Sequence, residues 1–539
     1  MTSANTAFGG ALPTTTLVQP QNPPAPATTV IAKVISGDTR IDPLLDSANY
    51  RFNDGSPVGT PVTVTFSFPD EAPSTYSGED IDGWKSFSEA QKTATREMLD
   101  LIQKQVNITF QEVSDSATNF GTMRFSNNIQ KDSGGYALLP NSTGTDRDAD
   151  TWIAISDSSD MGLGTYNWMT LLHEIGHAIG LNHPGNYNAG ESANDDAVGN
   201  FLGASEDAFF NSIMSYRWSA QSINDIWFMP YDMLALRYVY GMNPFNTGNN
   251  SYTLTDSSGA MVQNIVDDGG IDTLNFSAVT TQISLDMTPG AYSSFGRLTS
   301  GAPALADLTI SFDAIIENAI GTPQNDSMIG NSANNVLTGG VGDDVVDGGA
   351  GTDTAVFSVS RAAAAIIKTA TGWTVSSPAD GTDTLTNVER LQFSDAGLAF
   401  DVSASNSAGA IYRLFGATFN RIPDLGGFGY WIDQADKGKS AVTMAIDFTF
   451  SEEFQTRFAT KINDNYAAGS DVSALVTAFF TNVLHRTPSA VDRDWYADQI
   501  TSHQKTVGQV IAEISDSPEF IAQLAGVLAN GVVYIPFGG

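Results

Sequence analysis

His173-Glu174-Ile175-Gly176-His177-Ala178-Ile179-Gly180-Leu181-Asn182-His183 gathers three of the chain's five histidines into eleven residues. On a helix, His173 and His177 stand one turn apart and point their imidazoles from one face. Glu174 lies between them, placed to act on a water at a bound metal without ligating the metal itself. Gly180 lets the chain leave the helix in a left-handed turn and brings His183 round as a third nitrogen. Three neutral imidazoles with one position open suit a catalytic zinc rather than a closed structural one. A bare HExxH is often an ordinary helix face. The longer form, with the glycine and the third histidine, is far more specific.

Downstream stands Ser212-Ile213-Met214-Ser215-Tyr216. With the histidine run it resembles the metzincin metalloproteases, and the rest of the chain narrows the resemblance to the bacterial serralysin type. The resemblance implies a Met-turn whose Met214 packs beneath the zinc, and a Tyr216 that is a displaceable extra ligand and an oxyanion donor. It implies peptide-bond hydrolysis, with Glu174 as the proton carrier and protein or peptide chains as substrates. Pro230-Tyr231-Asp232, Ala235-Leu236 and Tyr240-Gly241 look like the helix that closes such a catalytic domain. Upstream, Ser88-Glu89-Ala90-Gln91 reads as a capping box, with Ala90, Ala94, Leu101 and Ile102 as the buried stripe of its helix. Asn107–Phe110, Gly135–Ala137 and Thr151–Ile155 read as strands. In metzincins an edge strand pairs with extended substrate. Whether Thr151–Ile155 is that edge or an interior strand stays open.

Sixty acidic against 25 basic residues give a net charge of −35, which argues against a nucleic-acid partner. The surplus fits carboxylates that wait for calcium. With no cysteine, disulfides and thiolate metal sites are excluded. The first thirty residues lack the basic and apolar regions of a cleavable secretory signal, and no apolar stretch is long enough to span a membrane. The serralysin resemblance instead implies an extracellular enzyme, exported in one step through an uncleaved C-terminal signal. The apolar ending Val532–Phe537 is compatible with this, although it lacks the acidic residues usual there. Leu12–Thr29, rich in Thr, Pro and Ala, reads as a disordered leader. By the resemblance it is a pro-segment removed before about residue 40.

A nine-residue period runs through Gly321, Gly330, Gly339 and Gly348, each followed five positions later by Asp326, Asn335, Asp344 and Asp353. The best units are Gly339-Gly340-Val341-Gly342-Asp343-Asp344 and Gly348-Gly349-Ala350-Gly351-Thr352-Asp353. They resemble the GGxGxD turns of the repeats-in-toxin parallel β-roll, where glycines bend the backbone round calcium and Asp supplies hard oxygen. Val346 and Ala355 are then the apolar residues that enter the core. Asp268-Gly269-Gly270-Ile271-Asp272 is an earlier partial unit, expected to hold one ion through Asp268 and Asp272. Asp383–Phe393 resembles the strands that end such rolls.

Past about residue 405 the texture turns helical and repeats itself. Arg421 and Pro423 recur as Arg486 and Pro488, and Ser451–Phe454 recurs as Ser517–Phe520. This resembles a tandem module of secreted and surface proteins, with a surface layer or cell surface as a candidate partner. Tyr430, Trp431 and Trp495 read as core aromatics, and His485 and His503 as ordinary histidines. The expected architecture is multidomain: a leader over 1–38, an α+β metzincin catalytic domain over 39–245, a calcium β-roll over 246–403 and an α-helical module over 404–539. The expected function is that of a secreted, calcium-stabilised zinc endopeptidase. The alternatives are a calcium-binding surface protein with a vestigial protease domain, or a dedicated processor of the cell's own surface proteins.

Overall fold

The computed structural model describes residues 36–45, 50–131, 133–187, 201–217, 227–256, 262–295, 307–403, 407–458, 466 and 472–538. The expected leader lies almost wholly outside them. The chain forms two compact units. One runs to Asn331 without Pro323–Asn325, and the other takes those three residues and Ser332 onward.

In the first unit the strands are β1 (Val62–Ser67), β2 (Lys85–Ser86), β3 (Ile108–Glu112), β4 (Met123–Asn128), β5 (Gly135–Ala137) and β6 (Thr151–Ala154). Its helices are α1 (Glu89–Gln105), α2 (Tyr166–Ala178) and α3 (Pro230–Tyr240). The sheet order is β3-β1-β4-β6-β5, with β2 laid on β4. The pairs β1–β3, β1–β4 and β4–β6 are parallel, whereas β5 runs antiparallel to β6. Every residue of β4 and β6 is buried, as central strands covered on both faces require. The open position of Thr151–Ile155 is thereby settled: β6 is interior, and the edge is β5.

Helix α1 starts on the expected capping box, in which Ser88 and Gln91 each satisfy the other's backbone N–H. Its buried stripe differs from the expectation. Ala90 is exposed and Leu101 half-buried, while Gln91, Ala94, Thr95, Met98, Leu99 and Ile102 face the core. The box fixes the helix phase: once Gln91 turns inward to donate to Asn127 Oδ1 at 2.7 Å, Ala90 must point out.

Beyond α3 the first unit continues in short, mostly parallel strands. Thr273–Ala278 pairs with Ser251–Thr255 and with Asn318–Ile320, and Ser284–Asp286 pairs with Ser327–Ile329. In the second unit Val336–Thr338 pairs in parallel with Thr354–Val356, two nine-residue repeats further on, and that strand with Arg390–Gln392. Val345–Asp347 likewise pairs with Gly381–Thr386. Leu337, Val346 and Ala355 are buried, each two residues after its Asn or Asp.

Among the described residues eight helices follow as two sets of four. Ser407–Phe419, Leu425–Asp436, Ala441–Phe450 and Glu452–Phe458 recur, 65 or 66 residues later, as Val472–Leu484, Ala490–Thr501, Val507–Ser515 and Pro518–Leu528. The repeated arginines make the same contact in both sets: Arg421 forks onto Glu453 at 2.9 Å, and Arg486 onto Glu519 at 2.8 and 3.1 Å. His485 and His503 occupy left-handed turn positions, φ 49° and 58°, where the first set has Asn420 and Gly438. One expectation fails here. Trp495 is 48% exposed, with the Lys505 ammonium 5.1 Å from its ring centre, so it is not a core residue. The C-terminal Val532–Tyr534 closes the chain as a strand antiparallel to Gly397–Ala399.

Candidate metal centre

Helix α2 begins at the Thr165 cap, whose hydroxyl accepts from Trp168 N at 3.2 Å, and all its residues from Trp168 onward are buried. His173 and His177 lie on its last turns. Gly180, at φ +107°, reverses the chain; a Cβ there would lie 2.6 Å from Tyr50 O. His183 then returns against the helix. The rings of His177 and His183 have centroids 4.7 Å apart, and those of His173 and His177 4.9 Å apart.

Each helical histidine is oriented from behind. His173 Nδ1 lies 2.8 Å from Ile213 O, and His177 Nδ1 lies 2.7 Å from Leu181 O. A carbonyl only accepts, so both Nδ1 atoms carry the proton and both Nε2 atoms present a lone pair. These face His183 Nε2 at 3.3 and 3.1 Å. Three nitrogens converging at that spacing match the edges of a tetrahedral site with metal–nitrogen bonds of about 2.0–2.1 Å. The three histidines form a potential metal-binding cluster and all are buried. Burial lowers the pKa of each, that of His177 to about 4, so they stay neutral and able to ligate at ordinary pH. The donor set therefore fits zinc.

Glu174 is 1% exposed, and neither carboxylate oxygen has a hydrogen-bond partner within the protein. Burial pushes its pKa well above the usual range, the shift expected of a group that holds and releases a proton. The edge strand passes close by, since a Cβ on Gly135 would lie 2.8 Å from Glu174 Cγ.

Met214 is fully buried beneath α2. A Cβ on Gly176 would lie 2.8 Å from its Sδ, so the glycine between the histidines lets the thioether approach. The turn is pinned by Asp232, which accepts from Ser212 Oγ, Ile213 N and Met229 N at 2.6, 2.8 and 2.9 Å. Desolvation nonetheless raises the Asp232 carboxyl to about 7. Tyr216 stands with its ring 4.3 Å from that of His183 and 5.9 Å from that of His173. Gly176, Tyr187 and Asp207 are functional neighbours of the site that the sequence does not mark. Their contacts reach from 8 to 38 residues along the chain, with no periodic spacing to announce them.

In the Gly–Asp turns Gly340, Gly342, Gly349 and Gly351 all adopt positive φ, and a Cβ on Gly348 would strike Asp353 at 2.6 Å. A Cβ on Gly339 would likewise meet Asp344. Asp272, Asp344 and Asp353 are buried. Asp272 Oδ2 and Asp353 Oδ2 have no hydrogen-bond partner. Acidic neighbours crowd them: Asp272 N donates to Glu317 at 2.8 Å, Asp353 N to Glu389 at 2.9 Å and Asp344 N to Asp383 at 3.0 Å. Desolvation, reinforced by neighbouring carboxylates, raises Asp353 and Asp383 to about 7. Asp268 differs, because Arg237 engages both its oxygens at 2.7 and 2.8 Å.

The sheet with one antiparallel edge, and the helix that carries a buried three-histidine cluster beside an unpartnered glutamate, define a domain of the metallopeptidase kind. Comparison with known proteins agrees. The family model for reprolysin-like metallopeptidases of family M12B matches residues 66–233, and that for the M10 serralysin C-terminal region matches 232–448. A domain of unknown function, DUF4214, matches 459–524. Serralysin of Proteus mirabilis is 32% identical over 304 residues, 50% of this chain and 59% of that protein. Metallopeptidase AprA of Pseudomonas marginalis is 31% identical over 317 residues, covering 53% and 63% of the two chains. Serralysin B of Dickeya chrysanthemi is 30% identical over 318 residues, covering 54% and 63%. The chain thus spans about three fifths of the length of these relatives. Of solved structures, myroilysin covers 34% of this chain and 94% of its own at 17% identity, with a TM-score of 0.22, too low to bear on the fold. The chain is a relative of the serralysin-type metalloproteases.

Proposed function

We propose that this protein is a zinc-dependent endopeptidase that acts outside the cell and is stabilised by calcium. The observation that carries the reading is the convergence of three Nε2 atoms beside a buried carboxylate with no partner in the protein. His173, His177 and His183 would hold zinc, which when bound would supply a Lewis acid to acidify water and polarise the peptide carbonyl. Glu174 takes the proton of the attacking water and returns it to the leaving amine. The Tyr216 hydroxyl donates a hydrogen bond to the carbonyl oxygen as charge develops there. The free edge of β5 receives an extended peptide as a further antiparallel strand and sets it beside Glu174.

The Gly–Asp turns are proposed as calcium sites of a parallel roll, with Asp272, Asp344 and Asp353 and the glycines 339, 340, 342, 348, 349 and 351 around them. The unmet oxygens of Asp272 and Asp353 and the eighteen-residue parallel pairing support this. Asp268 is left out of the ligand set, because Arg237 already takes both its oxygens. Among the described residues no helix is long and apolar enough to cross a membrane.

The test is cleavage of an unfolded protein in the presence of zinc and calcium, beside Glu174→Gln. The variant is expected to keep one zinc per chain and lose about 10²–10⁴-fold in rate. Full activity in the variant would sink the assignment. Zinc binding without cleavage in the wild type would favour a processor with few defined sites.

A further inference from the structure

We infer that Asp207 is the positioning residue that, through Tyr187 and Ser215, holds the Tyr216 hydroxyl at the metal centre. The inference rests on the peptidase reading for its kinetic consequence but not for its geometry. Asp207 is 2% exposed and lies in the loop that precedes the Met-turn. Its Oδ1 accepts from Tyr187 Oη at 2.9 Å and from Ser215 Oγ at 2.7 Å, and its Oδ2 accepts from Arg217 Nε at 3.0 Å. Tyr187 Oη accepts in turn from Tyr216 N at 3.1 Å, and Ser215 Oγ from Arg217 N at 3.1 Å. Three consecutive residues, Ser215, Tyr216 and Arg217, are therefore tied to one buried carboxylate, directly or through a single hydroxyl.

The other side of the clamp reaches the metal ligands. Tyr187 follows His183 by four residues, and its ring stacks on that of Tyr216 with centroids 5.1 Å apart and planes 25° apart. It also lies 5.8 Å from the His183 ring. Tyr216 is thus gripped between the third histidine and a stacked phenol whose own hydroxyl is fixed by Asp207. A hydroxyl that would donate to a developing oxyanion needs a fixed pivot, because a shift of about 1 Å can cost 10²-fold in rate. A clamp on the backbone and on one ring face fixes that pivot.

A merely structural network would lower stability and leave turnover alone. Positioning predicts a different pattern. Tyr187→Phe keeps the stacked ring and removes only the hydroxyl, so kcat is expected to fall about tenfold with KM nearly unchanged. Asp207→Ala is expected to fall about a hundredfold. Asp207→Asn, which keeps an acceptor for Tyr187 and Ser215, recovers part of that loss. The readout independent of catalysis is the tyrosinate-to-copper charge-transfer band of the copper-substituted protein, which is expected in the wild type and weakened or shifted in Asp207→Ala and Tyr187→Phe. Unchanged kcat with a lowered melting temperature overturns the inference. So does a band that is absent in the wild type or unaltered in the variants. If Asp207→Ala does not fold, Tyr187→Phe decides alone. A wild type that cleaves nothing, yet shows the band and loses it in the variants, would count against a general peptidase and leave the clamp standing.

Discussion

In the histidine centre each helical ligand is a neutral ring held from behind by a backbone carbonyl, whereas in the Gly–Asp turns buried carboxylates face other carboxylates. The first arrangement costs little without a metal, since desolvating a neutral imidazole is cheap and its one proton is already bonded. The second is electrostatically unfavourable without one. Asp353 lies near Glu389 and Asp347, and Asp383 near Asp344, Asp380 and Asp343, and each of these neighbours raises its pKa. The α/β sheet and its histidine centre are thus built by protein contacts, while the turns hold carboxylates whose repulsion a cation would relieve.

Cation removal should separate the two regions most widely. Each ion present at about a hundredfold excess over its dissociation constant stabilises the folded state by roughly 2.7 kcal/mol. Chelating calcium at pH 8 is therefore expected to lower the melting temperature of the turn region by several degrees for each ion lost. Zinc, a single ion, should by the same linkage stabilise the α/β sheet by one such increment only. The pH dependence carries the same sign. In the absence of cation, folded Asp353 and Asp383 keep their protons up to about pH 7, while their unfolded counterparts release them near 4. Acid therefore favours the cation-free fold, and that stability is lost as pH rises through 7. Calcium should accordingly stabilise strongly at pH 8 and weakly at pH 5.5. Calorimetry that finds equal increments at both values would break the contrast.

A smaller effect tests whether the histidine centre is as self-sufficient as its hydrogen bonds suggest. Gly176→Ala places a methyl group 2.8 Å from Met214 Sδ, at full burial. Overpacking of this kind costs about 1–3 kcal/mol, so the α/β domain should melt lower while calcium dependence stays as in the wild type. Zinc affinity should fall too, because displaced Met214 drags Ile213, whose carbonyl orients His173. An unaltered melting temperature and zinc affinity would show that the floor under the helix yields more easily than the packing implies.

The same contrast explains what the sequence reveals. His173, Glu174, His177, Gly180 and His183 are legible because their roles follow from spacing along one helix and one turn. The nine-residue Gly–Asp period and the 65-residue offset of the helical sets are legible because repetition survives without any knowledge of contacts. Asp207 and Tyr187 are not, because a carboxylate and a phenol 20 residues apart carry no periodic mark. The phase of α1 is hidden for a related reason. Ala90 looks apolar, but Gln91 turns inward to meet Asn127, a partner 36 residues away. Trp495 shows the limit of reading aromatics as core. Lys505 covers its face, and an amphipathic ring held this way remains comfortable at the surface.

The smallest expected effect concerns the two helical sets, where repetition at first suggests importance. Arg421–Glu453 and Arg486–Glu519 are both bidentate and both solvent-exposed, with 37–45% of each side chain accessible. Exposed ion pairs contribute about 0–1 kcal/mol, so Arg421→Ala and Arg486→Ala should each shift the melting temperature only slightly. They need not shift it equally. Arg421 also lies over the rings of Phe415 and Phe419 at 5.0 and 5.5 Å, while Arg486 meets Phe480 alone at 5.9 Å. Cation–π contact adds about 0.5–1 kcal/mol at exposed sites, so Arg421→Ala should be the more damaging of the two. Equal shifts in thermal melts, or a larger one for Arg486→Ala, would mean that the forks and not the ring contacts set the stability of these helices.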